Sequence, residues 1–305
     1  MKTVKIGTRG SKLALWQASS IKEKLSVLYP ENEFQIVEIK TEGDRDQKSS
    51  LTKIGGVGIF TRAIENALLD RRVDIAVHSL KDLPSFIADG FFLAAVPERG
   101  DVEDVLVSNN GYSLSELRRN AMIGTGSMRR ACQLRNIRKD LIIEDLRGNI
   151  ETRLRKLKNG RYDGIIMAKV AIVRLGLKKI KFSVLLPEIM IPAVGQGGIA
   201  VEIRKEDEEM MHMVTSINHP PSYAAVQAER SFLHRLNTGC QFPAGAIAVV
   251  KDNTFTIEGF TGSEDGSIIL REKISAPPFD PVKLGIILAE KLIVRGAMEL
   301  LHGKN

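Results

Sequence analysis

The chain is expected to fold as α/β: two α/β lobes joined by a hinge, then a small C-terminal α+β domain. Three features of the sequence predict this. Strand and helix patterns alternate through most of the first two thirds. Glycine- and proline-punctuated segments at 97–101 and 192–198 suit a chain crossing out of one lobe and back again. After Asn218-His219-Pro220-Pro221 the pattern changes to one helix, three strand-like runs and a final helix. The expected domains are 1–97 with 198–216, then 98–197, then 217–305.

Residues 4–8 read as a short strand ending in a polar turn. Leu13, Leu15, Trp16, Ile21, Leu25 and Leu28 recur at helical spacing, and Pro30 stops that helix. Residues 34–39 alternate as a strand does, and 42–58 is polar and glycine-rich, as both lids and plain surface loops are. A helix over 60–69 precedes a buried strand at 73–77, and further strand-like runs lie at 92–96, 105–107, 122–124, 141–143 and 165–167. Helices fit between them at 129–138 and 150–158. Such alternation predicts parallel sheets with ligand groups at the strand C-terminal ends. In the last third we expect a helix at 222–236, strands at 247–250, 255–260 and 268–274, and one long helix at 282–301.

Composition narrows the function classes. At 43% hydrophobic and 27% charged over 305 residues, the chain is globular in composition rather than disordered. Two cysteines cannot build a disulfide framework, so a reduced compartment is expected. The start, Met-Lys-Thr-Val-Lys-Ile-Gly, carries no signal-peptide run, and no stretch reaches the ~18 uninterrupted apolar residues of a membrane helix. A cytoplasmic protein with an anionic partner is the expectation.

The net charge of +7 is unevenly placed. Between Arg118 and Lys181 there are 18 Lys or Arg against 5 Asp or Glu, so the rest of the chain is net acidic. Much of that surplus belongs to solvated helix faces. Some arginines, however, stand at strand ends. Gly124-Thr125-Gly126-Ser127-Met128-Arg129-Arg130 follows a strand and opens a helix, where unpaired backbone N–H groups favour anions and Ser127 is placed to cap. Arg147-Gly148-Asn149, with Arg153 about one turn onward, repeats the arrangement, as does Arg9-Gly10-Ser11; Arg174 lies in the helix after 165–167. Forked guanidinium donors suit carboxylate or phosphate. Nucleic acid is the rival partner, but 5% aromatic residues leave few stacking platforms, and no helix-turn-helix, zinc-finger or RNA-recognition signature is present. Gly-Thr-Gly-Ser also lacks the Gly-Lys-Ser/Thr ending of a P-loop. A two-lobed anion binder without enzymatic activity remains the alternative to an enzyme.

Two kinds of reactive group stand out. Cys240 lies in the turn Asn237-Thr238-Gly239-Cys240-Gln241-Phe242-Pro243 and Cys132 inside a helix; each suits an inert buried cysteine, and the turn setting makes Cys240 the better candidate for an exposed nucleophile. No zinc-ligand spacing surrounds either one. Lys81 and Asp82, in His78-Ser79-Leu80-Lys81-Asp82-Leu83-Pro84, are adjacent charges at a strand end. They suit either a solvated turn or a carboxylate kept ionised by nearby cations, able to stabilise a cationic intermediate.

Six motifs together resemble the porphobilinogen deaminase (hydroxymethylbilane synthase) family. They are Gly-Thr-Arg-Gly-Ser-Lys-Leu-Ala-Leu-Trp-Gln-Ala from Gly7, His-Ser-Leu-Lys-Asp-Leu-Pro from His78, Gly-Thr-Gly-Ser-Met-Arg-Arg from Gly124, Leu-Arg-Gly-Asn-Ile from Leu146, Pro-Ala-Val-Gly-Gln-Gly from Pro192 and Gly-Cys-Gln-Phe-Pro from Gly239. The resemblance runs in order over nearly the whole chain. It implies two lobes similar to periplasmic binding proteins with the active cleft between them, and a third domain presenting the cysteine. It implies a transferase that adds four porphobilinogen units to a dipyrromethane cofactor, releasing ammonia each time and finally the linear tetrapyrrole hydroxymethylbilane. By the resemblance, the cofactor is a thioether on Cys240, and its carboxylates are held by Arg129 and Arg130 with Ser79, Lys81, Thr125 and Ser127. Arg9, Ser11, Arg147 and Arg153 would hold incoming substrate, Arg174 would assist elongation, and Asp82, with Lys81, would be catalytic. A monomer acting on a small molecule, with neither nucleic acid nor membrane as partner and no metal, is what membership implies.

This chain departs from the family pattern in three places. Gly55-Gly56-Val57-Gly58 replaces the usual Gly-Gly-Lys-Gly of the lid, leaving Lys53 as the nearby candidate for its lysine. Gly126 and Met128 differ from the usual Thr-Ser-Ser-Leu-Arg-Arg, and Lys169 stands where small or apolar residues are common.

Overall fold

In the computed structural model the described residues are 2–41, 58, 61–238, 242–252, 254–277 and 280–302. They divide into two units, Met1–Gly100 with Gly197–Ala224, and Asp101–Gln196 with Ala225–Asn305. The expected lid and Cys240 lie outside the described residues, apart from Gly58.

The first unit begins with β1 (Thr3–Thr8), α1 (Lys12–Leu28), β2 (Glu33–Glu38), α2 (Arg62–Leu69) and β3 (Ile75–Ser79). A 3₁₀ turn (Leu80–Asp82) and β4 (Phe91–Ala95) follow. Ser11 caps α1, its Oγ accepting from the Ala14 N–H at 3.3 Å, and the Tyr29 N–H closes the far end on the Leu25 carbonyl at 2.8 Å before Pro30. α1 buries Ala18, Ile21 and Leu25 against Val4, Ile6, Ile75 and Val77. α2 lays Ile64, Ala67 and Leu68 on the other face, against Val73 and Ala76. Alternate residues of β3 thus feed two cores, the mark of a strand covered on both sides.

The second unit continues with β5 (Asp104–Val107), β6 (Met122–Gly124), α3 (Met128–Ile137), β7 (Ile142–Glu144), α4 (Ile150–Lys158), β8 (Gly164–Ala168), α5 (Lys169–Arg174) and β9 (Phe182–Leu185). The chain then returns to the first unit as β10 (Ile199–Arg204) and α6 (Glu208–Thr215). β9, β10 and α6 have no counterpart in the elements expected from periodicity.

The sheet orders are β2-β1-β3-β10-β4 and β7-β6-β8-β5-β9. Each is the same plan. Three parallel strands stand in the order second, first, third, and next to them lies one antiparallel strand that has just arrived from the other unit. The expectation of parallel sheets is therefore corrected to mixed sheets. β5 and β10 follow the crossing segments directly, and no crossover helix links them to the strand they join, so nothing imposes a parallel run.

The remaining chain forms α7 (Pro220–Arg235), the antiparallel meander β11 (Ala244–Lys251), β12 (Thr254–Gly262) and β13 (Ile269–Ala276), then α8 (Pro281–Val294) and α9 (Ala297–His302). α7 starts at the Pro pair itself, where the missing N–H groups cost nothing. Asp280 caps α8 through the Val282 and Lys283 N–H groups at 3.0 and 3.3 Å. The single long helix expected at the end is two, because Gly296, at φ +92°, turns the chain out of helical geometry. Among the described residues no helix is long and apolar enough to cross a membrane.

A side chain on Gly285 of α8 would overlap the Ala228 carbonyl and the Ser231 hydroxyl of α7. Gly285→Ala is expected to lower stability by about 1–3 kcal/mol, despite alanine's higher helix propensity, through forced separation of the helices. A urea titration of the two proteins measures it; an unchanged or raised midpoint would contradict this close approach.

Candidate active site

In the first unit the chemistry gathers where β1 and β3 end. These strands pair in parallel (Ile6 with Ile75, Gly7 with Ala76), so their C-terminal ends lie side by side. Arg9, Ser11, Thr61, His78, Ser79 and Asp82 line a recess there of about 80 Å³. The buried Thr8 hydroxyl ties the two strands by donating to the Val77 carbonyl at 3.3 Å. Ser79 Oγ donates to Oε1 of the buried Gln17 at 3.0 Å. The turn carrying Asp82 is pinned on both sides. The Leu80 N–H donates to the Gly198 carbonyl and the Leu83 N–H to the Leu80 carbonyl, each at 3.1 Å, with Leu80 and Leu83 buried beneath. Asp82 is left half-buried at the recess. Lys81 shares its turn but does not line the recess.

In the second unit Arg129 and Arg130 open α3, and both are buried, at 4% and 6% exposure. Their guanidinium groups converge on Asp104 at the start of β5. Arg129 Nη2 donates to Oδ2 at 2.7 Å, and Arg130 Nη2 and Nε donate to Oδ1 at 2.6 and 3.2 Å. Gln196 Nε2 adds a bond to Oδ1 at 2.9 Å. Each also donates to backbone, Arg129 Nη1 to the Ile191 carbonyl at 2.6 Å and Arg130 Nη1 to that of Ile166 at 3.1 Å. Burial alone would raise the Asp104 pKa; the two guanidinium groups outweigh it and hold the carboxyl well below the usual carboxylate range. Two guanidinium groups thus share one carboxylate in this buried cluster.

Thr125 is buried and links the end of β6 to β7, its N–H donating to the Glu144 carbonyl at 2.9 Å. Its Oγ1 accepts from the Ser127 N–H at 3.2 Å. Ser127 occupies the N-cap position of α3 with extended backbone, but its side chain makes no cap bond, which corrects the capping expectation. The helix's first backbone bond there is the Ala131 N–H to the Ser127 carbonyl at 2.9 Å. Arg147 and Arg153 flank the turn into α4. Arg147 Nε donates to Asp145 Oδ2 at 2.8 Å, and Arg153 Nε to the Gly148 carbonyl at 2.7 Å. Gly148 is required in that turn, since its φ is +107° and a Cβ would strike Thr152. Arg174 ends α5, and burial pulls its pKa down to about 10 against the opposing field of Asp101. Lys169 pairs with Asp101 at 2.6 Å, which gives that departure from the family pattern a partner of its own.

The structure therefore brings Arg9, Ser11, Ser79 and Asp82 to one recess, and clusters Arg129 with Arg130. Asp104 and Gln196 were not singled out from the sequence. The readable signal was an acid opening an otherwise apolar strand, and a glutamine inside the quoted Pro192 motif. Cys132 is fully buried among Ile191, Phe260 and Ile269, and burial pushes its thiol up to about 11, the state of an inert cysteine.

Sheets of this order with cationic groups at their parallel strand ends define a two-lobed α/β protein. The comparisons with known proteins carry this further. Residues 4–212 match the porphobilinogen deaminase dipyrromethane cofactor-binding domain, and residues 223–294 the C-terminal domain of the same family. A porphobilinogen deaminase of Brevibacillus brevis is 46% identical over 299 residues, 97% of this chain and 96% of that protein. One from Syntrophomonas wolfei is 44% identical over 301 residues, 99% and 98% of the two chains. Among solved structures, the periplasmic aliphatic sulphonate binding protein SsuA of Escherichia coli is similar at 15% identity and a TM-score of 0.42, covering 77% of this chain and 70% of its own. The chain belongs to the porphobilinogen deaminase family. The family, the transferase class and the dipyrromethane cofactor expected from the six motifs follow from that membership.

Asp104→Asn would remove the carboxylate to which both buried guanidinium groups donate and is expected to cost about 3–5 kcal/mol at pH 7. The Asp104 pKa is lowered on folding, so its contribution is complete above the unfolded value near ~4 and is lost only as pH falls through the lower folded value. Urea midpoints of wild type and variant should thus stay apart at pH 5 and converge only in stronger acid; convergence already at pH 5 would contradict the pairing.

Proposed function

We propose that this chain joins four porphobilinogen molecules head to tail onto a dipyrromethane primer held by Cys240 as a thioether, releasing ammonia at each addition and hydroxymethylbilane at the end. The observation that carries the reading is Asp82, set on a pinned turn at a recess it shares with Arg9, Ser11 and Ser79. Family membership supports the reaction, and the inertness of Cys132 supports Cys240, since the chain has only two cysteines.

The residues fit the primer. Its acetate and propionate groups are anions, and the Arg129–Arg130–Asp104 cluster carries a buried surplus of positive charge that an anion would neutralise. When bound, the primer would supply the pyrrole carbon to which the first unit is joined. Arg129 and Arg130, with Ser79, Lys81, Thr125 and Ser127, would hold its carboxylates. Arg9, Ser11, Arg147 and Arg153 would hold those of the incoming porphobilinogen, and Arg174 would assist as the chain lengthens. Loss of ammonia from porphobilinogen leaves a cationic methylene-pyrrole, and Asp82 stabilises it as a fixed carboxylate in a partly dry recess. The same carboxylate accepts hydrogen bonds from pyrrole N–H groups and moves the proton released on coupling. We assign the activity to a cytoplasmic monomer working on this small molecule rather than on nucleic acid or a membrane.

Protein made in cells that synthesise porphobilinogen is expected to exceed its sequence mass by two pyrrole units in intact mass spectrometry, and Cys240→Ser to lose that excess. Wild-type protein at its bare sequence mass would end the thioether assignment. Asp82→Asn is expected to fold and keep some cofactor while turning over about 10²–10³-fold more slowly. Turnover near that of wild type would remove Asp82 from the mechanism.

A further inference from the structure

In the second unit two turns follow neighbouring parallel strands. β6 and β7 pair with Gly124 beside Glu144, so the turn at 125–127 runs alongside the turn at 145–149. Gly126, one of this chain's departures from the family pattern, lies against that second turn. A Cβ at 126 would come within 2.9 Å of Asp145 Oδ1 and 3.0 Å of the Leu146 carbonyl oxygen. The Asp145 carboxylate thus occupies space that a side chain at 126 would need. Its other oxygen, Oδ2, accepts from Arg147 Nε at 2.8 Å.

The backbone of the second turn is fixed by other groups. The Tyr162 hydroxyl donates to the Asp145 carbonyl at 2.8 Å, Lys156 Nζ to that of Arg147 at 3.0 Å and Arg153 Nε to that of Gly148 at 2.7 Å. Leu146 is buried beneath, and Asn149 Oδ1 caps α4 by accepting from the Thr152 N–H at 2.9 Å. The side chain of Arg147 is a separate matter. Among the described residues Asp145 is its one hydrogen-bond acceptor, through Nε, and Nη1 and Nη2 donate to none. A guanidinium held by Nε keeps its two terminal nitrogens for a ligand, and that forked end can meet a carboxylate with two parallel bonds. Asp145 is 58% exposed, so the pair adds little to stability. Orientation is what it supplies.

We propose that Asp145 is a positioning residue for Arg147, and that glycine at 126 is what admits it. The proposal rests on the reading that Arg147 holds the carboxylates of incoming porphobilinogen. Asp145 restricts a long side chain to one presentation, so substrate binding does not bear the cost of ordering it. A larger residue at 126 displaces the carboxylate and releases Arg147. The effect falls on KM and leaves kcat nearly unchanged, because Arg147 acts in holding substrate.

The test measures kcat and KM for porphobilinogen with holoenzyme of wild type, Asp145→Ala, Asp145→Asn, Gly126→Ala, Arg147→Ala and the Asp145→Ala/Arg147→Ala double variant, each checked for cofactor content by intact mass. Asp145→Ala is expected to raise KM about three- to five-fold, the most an exposed pair of this kind supplies, with kcat within about two-fold of wild type. Asp145→Asn, whose amide oxygen still accepts from Nε, should bring KM back close to wild type. Gly126→Ala should raise KM as Asp145→Ala does. With Arg147→Ala already in place, Asp145→Ala should change nothing further. A KM that stays the same or falls in Asp145→Ala overturns the proposal, since the carboxylate would then act only by opposing the anionic substrate or not at all. Equal impairment in Asp145→Asn and Asp145→Ala overturns it too, and so does a parallel loss of kcat and cofactor, the mark of a merely structural role. Failure of the underlying reading shows separately. If Arg147→Ala raises KM while Asp145→Ala does not, the positioning role alone is lost; if Arg147→Ala leaves KM unchanged, the substrate-holding role of Arg147 is lost with it.

Discussion

Two guanidinium groups sharing one carboxylate fix the functional edge of the second unit. Asp104 opens β5, Arg129 and Arg130 open α3, Gln196 stands in the returning crossing segment, and the carbonyls of Ile166 and Ile191 accept further guanidinium bonds. Segments far apart in sequence meet at one anion. Stability alone is a poor reason for such a cluster, because burying charges costs about as much as their pairing returns, and apolar side chains of similar volume would hold the segments as well. What apolar side chains could not supply is the surplus. Here two guanidinium groups meet one carboxylate in a buried place, the arrangement from which the anion-holding role proposed above is argued.

The two units repeat one plan, and the plan decides where chemistry is placed. In both, Arg9, Asp82, the Thr125–Arg130 turn and Arg147 follow the C-terminal ends of parallel strands, where the chain turns into a helix or a tight turn. In both, the strand inserted from the other unit carries a buried acid. Asp104 sits at the start of β5, opposite Ala168, and is paired with two arginines; Glu202 sits further along β10, opposite Ala76, and lies 3.3 Å from His78. The first acid organises cations. The second has a histidine beside it.

Local chemistry made part of this legible in the sequence. α1 and α4 were readable because apolar spacing and capping residues act over a few positions: Ser11 and Asn149 each accept from an N–H three residues on. β6 was readable from its short apolar run, whereas the cap expected of Ser127 in the Gly124 motif is not made. β10 was not. It is buried throughout, yet it carries Glu202 and Arg204, and charges inside a strand look like surface until their distant partners are known. Strand direction was equally hidden, because it is set by where the chain returns and not by periodicity. The arginines were legible as a group, but their anchor Asp104 lies some 25 positions away in the chain, and only the fold joins them.

The role proposed for Asp82 needs a carboxylate kept apart from the arginines, and the contrast with Asp104 gives the physical reason. The field of Asp104 is spent on two guanidinium groups and a glutamine amide, so it has little left for a ligand. Asp82 forms no salt bridge among the described residues and is only half-buried, on a turn held by backbone bonds. A carboxylate that must meet a short-lived cation has to be oriented in advance without being neutralised in advance. Backbone pinning supplies the first condition. The second follows from the charge layout, for the basic surplus between Arg118 and Lys181 falls wholly in the second unit and Asp82 in the first.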